Sequence, residues 1–515
     1  MLINNKETSV VANNKRIAKN TLVLYIRMIF MMGVSLFTSR VILETLGVED
    51  FGIYSVVGGI ISMFAFINGG MVSATQRFIT FEIGKGDIEK LKTVFSTSLQ
   101  IHALISIIIV ILGETAGLWF LYEKMVIPES RMVAAMWVYQ CSIIACVVNI
   151  LSIPYNADIV AHEKMSAFAY ISIIEVSLKL IIVYMLLISP WDKLIVYAFL
   201  LLLVQISIRF IYSHYCQKHF EETKYVHSIN KALFKEMISF AGWSFWGNLA
   251  AVLYTQGLNM MLNVFFGPIV NAARGIAVQV QSAVQQFTAN FQMALNPQIT
   301  KTYAAGEFEQ MHSLMCRSAR FSFFLLFFLT LPVLIETNFV LTLWLKNVPE
   351  HTVVFTQIMI AISLIYAITN PCVVANQATG KVKVYQAVVG GILLLILPIS
   401  YIILKLGAPA YSVFIVHFCL ENVAQFARMI MLRKMINLPI FAYFKNIYLP
   451  VLFVVVVATL LPLYVHSLFS EGWYRFILVS LSCVLSVSCT VFLFGFTKGE
   501  RNFFIIRGMA FLKIK

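Results

Sequence analysis

The stretch LIVYAFLLLLVQISIRFIYS, residues 194–213, holds 20 residues and a single charge, Arg209. A helix of about 20 apolar residues crosses the hydrocarbon core of a bilayer, so this stretch predicts a membrane-spanning helix. The whole chain has the same character, because 60% of its 515 residues are hydrophobic, 12% are charged and the mean hydropathy is +0.85. Soluble domains are about 45–50% apolar and about 25% charged. The composition excludes soluble, disordered and disulfide-rich secreted proteins and indicates a polytopic membrane protein.

Apolar stretches of this length recur along the whole chain. Scanning at about 20 residues per crossing predicts an all-α membrane protein with about fourteen transmembrane helices. The longest interior connection runs over 214–236, and no segment has the composition of a soluble domain. The predicted spans are 21–44, 53–80, 94–121, 132–157, 167–189, 194–213, 238–264, 269–297, 319–345, 353–377, 384–405, 410–431, 448–468 and 475–496.

The charges in the loops predict the orientation. With the N-terminus placed in the cytoplasm, cytoplasmic segments hold 25 of the 38 Lys and Arg residues, and the opposite loops hold 6. Positive residues accumulate on the cytoplasmic side of membrane proteins, so we expect both termini in the cytoplasm. The same bias explains most of the net charge of +14, and no nucleic-acid partner is inferred from it. Four tryptophans near predicted outer ends fit an aromatic belt: Trp119, Trp191, Trp344 and Trp473.

An internal repeat relates the two halves of the chain. At an offset of 220 residues, Ile79-Thr80 aligns with Ile299-Thr300, and Gly86-Asp87 aligns with Gly306-Glu307. Six predicted helices separate the copies, so the repeat is parallel, which is an architecture of transporters that hold substrate between two halves. A nearby offset of 217 aligns Pro154, Ala161 and Lys164 with Pro371, Ala378 and Lys381.

The predicted domains follow from this repeat. We expect two pseudo-symmetric six-helix lobes, the N-terminal one at 1–213 and the C-terminal one at 237–431. A cytoplasmic linker at 214–236 joins them, and 432–515 supplies two further helices with a cytoplasmic tail.

The seven remaining cations lie inside predicted spans, where a charge is costly unless it is paired or functional. Arg40 has Glu44 and Lys179 has Glu175 one turn away, which is the spacing of a helical ion pair. Others lie near cytoplasmic ends, from which their side chains can extend to the headgroups. Arg27 has no acid within four residues on its own helix, and it is a candidate ligand for an anion. Arg77 and Arg428 are the two near cytoplasmic ends, and Arg274, like Arg27, has no acid within four residues. The seven cations are Arg27, Arg40, Arg77, Lys179, Arg209, Arg274 and Arg428.

Polar side chains follow one face of the eighth predicted helix and one face of the seventh. Lipid cannot satisfy such groups, so each face must meet protein or a water-filled cavity. We consider two interpretations: a central substrate cavity, and hydrogen bonds between helices. The eighth helix carries Arg274, Gln281, Gln285, Thr288 and Gln292, and the seventh carries Ser244, Asn248, Thr255 and Asn259.

Acids inside spans are candidates for ion coupling, and Glu175 is the deepest of them, although Lys179 is positioned to neutralise it. Coupling to H+ or Na+ through this pair is therefore an open alternative, and no other cofactor is predicted. The eight cysteines have no C-x-x-C spacing, so we predict no metal or redox site. No catalytic residue is predicted.

Four segments carry a family resemblance: LGVEDFGIYSVVGGI (46–60), PYNADIVAHEKM (154–165), NAARGIA (271–277) and NPQITKTYAAGE (296–307). With them, the chain resembles the oligosaccharide-lipid flippases, exporters of O-antigen and capsule repeat units, of the multidrug/oligosaccharidyl-lipid/polysaccharide exporter superfamily. The resemblance implies a fourteen-helix fold with two lobes in a V. It also implies alternating-access transport of an undecaprenyl-diphosphate-linked glycan across the bacterial inner membrane, with Arg27, Arg77 and Arg274 placed to bind the diphosphate.

These observations leave two transport functions open, a flippase and an antiporter, and they disfavour a membrane enzyme. A flippase for a lipid-linked oligosaccharide fits a cationic cavity, with Asn248, Asn259, Gln281, Gln285 and Gln292 available to sugar hydroxyls. The alternative is a cation-coupled drug or metabolite antiporter of the same fold. A glycan polymerase or ligase usually needs a sizeable periplasmic segment that carries catalytic Arg or His. This function is disfavoured because the longest outer loop here, 122–131, has about ten residues. We expect a monomer surrounded by membrane lipids, with the polysaccharide polymerase machinery as a candidate partner.

Overall fold

The computed structural model describes residues 20–34, 38, 41–42, 45–46, 50, 53–54, 57, 65–123, 127–224, 230–266, 268–345 and 348–502. Within these ranges the protein is α-helical with short connections. The helices are α1 (Asn20–Val34), α2 (Ala65–Lys85), α3 (Ile88–Glu123), α4 (Met132–Ala161), α5 (Met165–Ile188), α6 (Lys193–His219), α7 (Lys231–Phe266), α8 (Pro268–Ala304), α9 (Phe308–Ile335), α10 (Thr337–Leu345), α11 (Thr352–Thr379), α12 (Val382–Lys405), α13 (Ser412–Ile436), α14 (Ile440–Leu468) and α15 (Trp473–Gly495).

Eleven helices among the described residues are long and apolar enough to cross a membrane. They are α3 to α7, α9 and α11 to α15, so the chain is a multi-pass membrane protein as predicted. The helices α1, α2 and α8 lie at the first, second and eighth predicted spans but are not among the eleven. Polar residues dilute the apolar content of α8, and the described part of α1 is short. A total of fourteen spans stays a prediction, and the predicted Arg40–Glu44 pair lies outside the described residues.

The chain forms two compact units. Unit 1 comprises Met1–Leu249 and Thr300–Gly306, and unit 2 comprises Ala250–Ile299 and Glu307–Lys515. The division falls inside α7 and close to the end of α8. Each of these two helices therefore contributes residues to both units. The four domain ranges drawn from the sequence stay predictions.

Unit 1 is built around the packing of α4 against α6. The Tyr139 hydroxyl of α4 donates a hydrogen bond to the carbonyl of Gly113 in α3, at 2.7 Å. The same hydroxyl occupies the place that a Cβ on Gly117 would take, so this close approach requires glycine. Between these two glycines α3 makes one π-helical turn. The two glycines and the turn let α3 and α4 pack closely enough to bury the whole tyrosine.

Unit 2 is built around α11, which packs against α9 and α13. The rings of Phe355 on α11 and Phe414 on α13 lie 4.6 Å apart, and both side chains are fully buried. At the end of α9 the buried Glu336 carboxylate accepts a 2.7 Å hydrogen bond from Arg475 of α15. Unit 2 thus combines an aromatic core with an ion pair that joins two helix ends.

The two copies of the sequence repeat share unusual backbone positions. Gly86 and Gly306, at offset 220, both have positive φ, at 73° and 76°. Glu163 and Gly380, at offset 217, have φ of 58° and 75° and end equivalent helices. Left-handed backbone is uncommon outside glycine, so its recurrence at both offsets is a specific similarity. The aligned prolines also share a setting, since each lies inside its helix.

Candidate substrate-binding residues

Arg27 of α1 lies in unit 1 and meets an aromatic ring and an acid from other helices. Its guanidinium carbon is 4.4 Å from the ring centroid of Phe168, which is the geometry of a cation–π contact. Glu175 of α5 and Tyr212 of α6 interact with it electrostatically. Arg27 has no acid nearby on its own helix, but tertiary packing supplies one, so its charge is partly balanced.

Glu175 and Lys179 form the ion pair that their spacing predicts. Lys179 Nζ lies 2.6 Å from Glu175 Oε1, and both side chains are partly exposed. Because the same carboxylate also interacts with Arg27, α5 places one acid between two cations. A role of Glu175 and Lys179 in ion coupling stays a prediction.

Arg77 of α2 is buried among aromatic rings of unit 1. Its guanidinium carbon lies 4.5 Å from the ring centroid of Phe78 and 4.7 Å from that of Phe81. Phe240 of α7 adds a third ring at 5.8 Å, and Glu236 interacts electrostatically. The side chain therefore lies inside protein, rather than reaching out to headgroups as one interpretation of the sequence had it.

Arg274 of α8 is a buried cation in unit 2 and has no carboxylate partner among the described residues. Its Nη2 donates to the carbonyl oxygen of Thr255 at 2.8 Å, and its buried Nε has no hydrogen-bond partner. His417 is a neighbour that interacts with it electrostatically. A buried guanidinium with a free donor and uncompensated charge is costly, and an anionic ligand would offset that cost.

The glutamines of α8 donate their side-chain amides to neighbouring helices of unit 2. Gln292 donates to Ser322 Oγ at 3.1 Å and to the carbonyl of Ala367 at 3.0 Å. Gln281 donates to Met359 O and Gln285 donates to Ser363 Oγ, at 3.4 and 3.3 Å. Hydrogen bonding between helices, one of the two interpretations of this stripe, thus accounts for these donors.

The two predicted asparagines of α7 lie in different surroundings. Asn248 is exposed and Asn259 is partly buried. Their roles in glycan contact stay predictions.

One buried ion pair was not foreseen from the sequence. Glu421 Oε1 and Arg428 Nη1 lie 2.8 Å apart on α13, with 2% and 4% of their side chains exposed. The alternative that Arg428 extends to the headgroups is not what the structure shows, because its guanidinium is buried and paired with Glu421. Their separation of seven residues, two helical turns, was the available signal, because it places both side chains on one face.

A bundle of membrane-length helices that also holds buried cations and amides, here Arg77, Arg274 and Gln292, is typical of transporters. A family model described as "Polysaccharide biosynthesis protein" matches residues 17–303, and the chain belongs to that family. No curated protein matches the sequence.

Solved structures with the same fold are transporters. A MATE in the bent conformation has a TM-score of 0.70 at 15% identity, over 84% of this chain and 97% of that one. An outward-facing multidrug resistance MATE family transporter of the MOP superfamily has a TM-score of 0.66 at 15% identity, over 82% and 96%. A MOP superfamily transporter from Pyrococcus furiosus has a TM-score of 0.64 at 15% identity, over 81% and 96%. The fold is that of MOP-superfamily transporters.

Proposed function

We propose that the protein is a flippase that moves a polyprenyl-diphosphate-linked oligosaccharide across the bacterial inner membrane by alternating access. The product would serve surface polysaccharide biosynthesis. The observation that carries the proposal is Arg274, a buried guanidinium with a free Nε donor and no carboxylate partner in the described part of the chain. Membership of a polysaccharide biosynthesis family supports a glycan cargo.

The chemistry of Arg274 suits a diphosphate. A guanidinium stays charged at all physiological pH values and presents a planar fork of donors that matches phosphate oxygens. Its Nη2 is engaged with Thr255, which orients the side chain and leaves Nε available. Arg27 and Arg77 would contribute less, because Glu175 partly balances the charge of Arg27 and aromatic rings enclose Arg77.

The two predicted asparagines of α7 would contact the glycan. Neutral amides exchange hydrogen bonds with sugar hydroxyls without fixing one sugar. Within the part of the chain that the structure describes, Asn248 and Asn259 have no helix-to-helix bond of the kind that engages the α8 glutamines. With both termini in the cytoplasm, as the loop charges predict, the cargo would be loaded from the inner leaflet. The polyprenyl tail would stay in lipid.

The test is surface glycan export in a strain that lacks the chromosomal gene and carries variants on a plasmid. We expect Arg274→Ala to reduce export at least tenfold, because a charge-assisted hydrogen bond contributes about 1.5–3 kcal/mol. Arg274→Lys should retain part of the export, since a lysine keeps the charge but loses the fork. Arg433→Ala is the control, because Arg433 is an exposed arginine of unit 2.

Immunoblots of the membrane fraction must show equal abundance of all four proteins. Normal export by a well-expressed Arg274→Ala protein would refute the assignment of Arg274 to the cargo.

The second candidate is a cation-coupled drug or metabolite antiporter, and the MATE-like fold favours it. In that case Glu175 and Lys179 would exchange the coupling ion. Resistance profiles of the deletion strain separate the two functions. Drug hypersensitivity with intact surface glycan supports the antiporter, and loss of glycan with normal resistance supports the flippase.

A further inference from the structure

Three metal-ligating side chains meet in unit 1, away from the arginines discussed above. Asp158 and His162 lie at the end of α4, and Glu222 lies in a 3-10 turn, Glu221–Thr223, that follows α6. One ligand atom from each residue lies within 4.8 Å of those of the other two.

Local structure brings these three groups together. Asp158 and His162 are four residues apart, so a helical turn places them on one face. The imidazole stacks on Phe220, with centroids 4.2 Å apart and planes at 8°, which fixes its orientation. The Thr223 hydroxyl donates to the Phe220 carbonyl at 2.9 Å and closes the turn that carries Glu222.

His162 and Glu222 are hydrogen-bonded to each other, so an ion would replace the proton that they share and these two side chains would move apart to admit it. His162 Nε2 lies 2.5 Å from Glu222 Oε1 and 3.7 Å from Asp158 Oδ1. The Asp158 side chain is fully buried, and neither of its carboxylate oxygens has a hydrogen-bond partner. A buried carboxylate without a donor is expensive, and a cation bound at this cluster would offset that cost.

Lys301 is engaged with another acid, and Arg209 lies over the ring of Tyr155, 4.2 Å from its centroid. Glu163, next in sequence to His162, has its own partner in Lys301, whose Nζ lies 2.7 Å from Glu163 Oε1. In the described part of the chain, the one ion-pair partner of Asp158 and of Glu222 is His162. The C-terminus of α4 adds the partial negative charge of a helix dipole.

We propose that Asp158, His162 and Glu222 bind one divalent transition-metal ion of the Zn2+, Mn2+ or Co2+ class. Two carboxylates cancel its charge, and the imidazole nitrogen favours a transition metal over Na+, Mg2+ or Ca2+, which prefer oxygen ligands. Three protein ligands leave a coordination position for water. The ion would link the end of α4 to the segment after α6 and so stabilise unit 1.

The test uses full-length, tag-free protein in detergent, stripped of metal by a chelator. We expect Co2+ titration to give visible d–d absorption with a stoichiometry of one ion per chain, and Zn2+ to displace the Co2+. Asp158→Asn, His162→Gln and Glu222→Gln should each weaken Co2+ binding at least tenfold. Zn2+ should raise the Tm of the wild type, and that increase should disappear in the three variants.

Two matched controls separate the cluster from the rest of the surface. Glu221→Gln makes the same charge change one residue away, and His219→Gln removes an exposed imidazole of the same segment. Both should bind Co2+ as the wild type does.

Two results would overturn the proposal. One is a folded wild-type protein that takes up no stoichiometric Co2+ or Zn2+. The other is equal loss of binding in Glu221→Gln or His219→Gln. Because the wild type is titrated directly, a variant that fails to fold does not decide the outcome. The readout is independent of export, so failure here leaves the flippase proposal standing.

Discussion

Helices α4 and α11 occupy equivalent places in the repeat but secure their ends with different chemistry. Both follow a Pro-Glu pair, at 128–129 and 349–350, and both contain an internal proline. Both are followed by a left-handed residue, Glu163 after α4 and Gly380 after α11. Their backbones therefore follow similar courses at entry and exit.

The starts of the two helices differ in charge. Arg131, before α4, donates to both Asp50 and Asp192. Three residues after the proline of its own Pro-Glu pair, as Arg131 is after Pro128, α11 has Thr352, whose hydroxyl donates to the Pro349 carbonyl at 2.7 Å. A clamp of one arginine and two carboxylates in unit 1 thus corresponds in unit 2 to this neutral hydrogen bond and to an exposed contact of 3.7 Å between His351 and Glu350.

The C-terminal ends of the two helices also differ in charge, and again α4 has the ionisable residues. Asp158 and His162 of α4 align with Ala375 and Thr379 of α11. Near the end of α11, Asn376 Nδ2 makes a neutral contact of 3.2 Å with the sulfur of Met435. In unit 2 the aligned residues Ala375 and Thr379 have no ionisable side chain, and a left-handed residue follows the helix there as well. The charges at the end of α4 are therefore not needed for the turn itself, and His162 instead joins α4 to Glu222 of the segment after α6.

The largest expected effect comes from placing a carboxylate, like that of Asp158 in α4, at the aligned position of α11. Ala375 is fully buried, so Ala375→Asp places a carboxylate where α11 offers neutral contacts. We expect a loss of about 3–5 kcal/mol in the free energy of unfolding. SDS titration in mixed micelles measures it. Ala375→Asn is the control for volume and should cost less; equal losses would show that size, not charge, distinguishes the copies.

A smaller effect is expected when Arg131, before α4, is replaced by threonine, the residue type that α11 has at its start. Arg131→Thr removes both ion pairs and leaves Asp50 and Asp192 facing each other. These side chains are partly exposed, so solvent screens them, and we expect a loss of about 1–2 kcal/mol by the same titration. Thr352→Ala is the counterpart in unit 2, and a larger loss there would reverse the comparison.

A substitution in the turn after α11 tests how much the left-handed backbone conformation depends on glycine. Gly380 has φ of 75°, and a side chain in left-handed backbone costs about 1–2 kcal/mol. We expect Gly380→Ala to lose about 1 kcal/mol. The control is Gly391→Ala, since Gly391 is inside α12 and its Cβ would meet open space. An unchanged Gly380→Ala protein would show that this turn adapts to a side chain.

The smallest effect is a pH dependence of stability, expected for the ion pairs of Arg131 in unit 1 and not for the Thr352 hydrogen bond in unit 2. The hydrogen bond from Arg131 is the main reason why the pKa of Asp192 lies below its ordinary value of 3.8. A carboxylate with a lowered folded-state pKa stabilises above the unfolded pKa and loses that contribution as pH falls through the folded value. The stability difference between wild type and Arg131→Thr should thus shrink below about pH 4.

Tm measurements from pH 7 to pH 3 give this difference. The matched difference between wild type and Thr352→Ala should stay constant, because no titrating group takes part in that bond. A constant difference for Arg131→Thr would contradict the ionic clamp.

Much of the fold was predictable because its signals are local. The predicted spans 132–157 and 353–377 lie within α4 and α11, since apolar length marks a membrane helix whatever it packs against. The Glu175–Lys179 pair was predictable for the same reason, because four residues of helix fix its geometry. The candidate site was only partly predictable: Arg274 was identified as an unpaired cation, but the partners of the α8 glutamines were not.

By itself, then, the sequence determined the membrane class, the helix positions, the repeat and the cations that have no acid on their own helix. Tertiary structure decided which charges are balanced. Glu175 approaches Arg27 only through the packing of α5 near α1, and Glu222 meets Asp158 only where the segment after α6 returns to the end of α4. Electrostatic energy depends on distance in space and on burial, and neither can be deduced from residues 60 or more positions apart until the helices have packed.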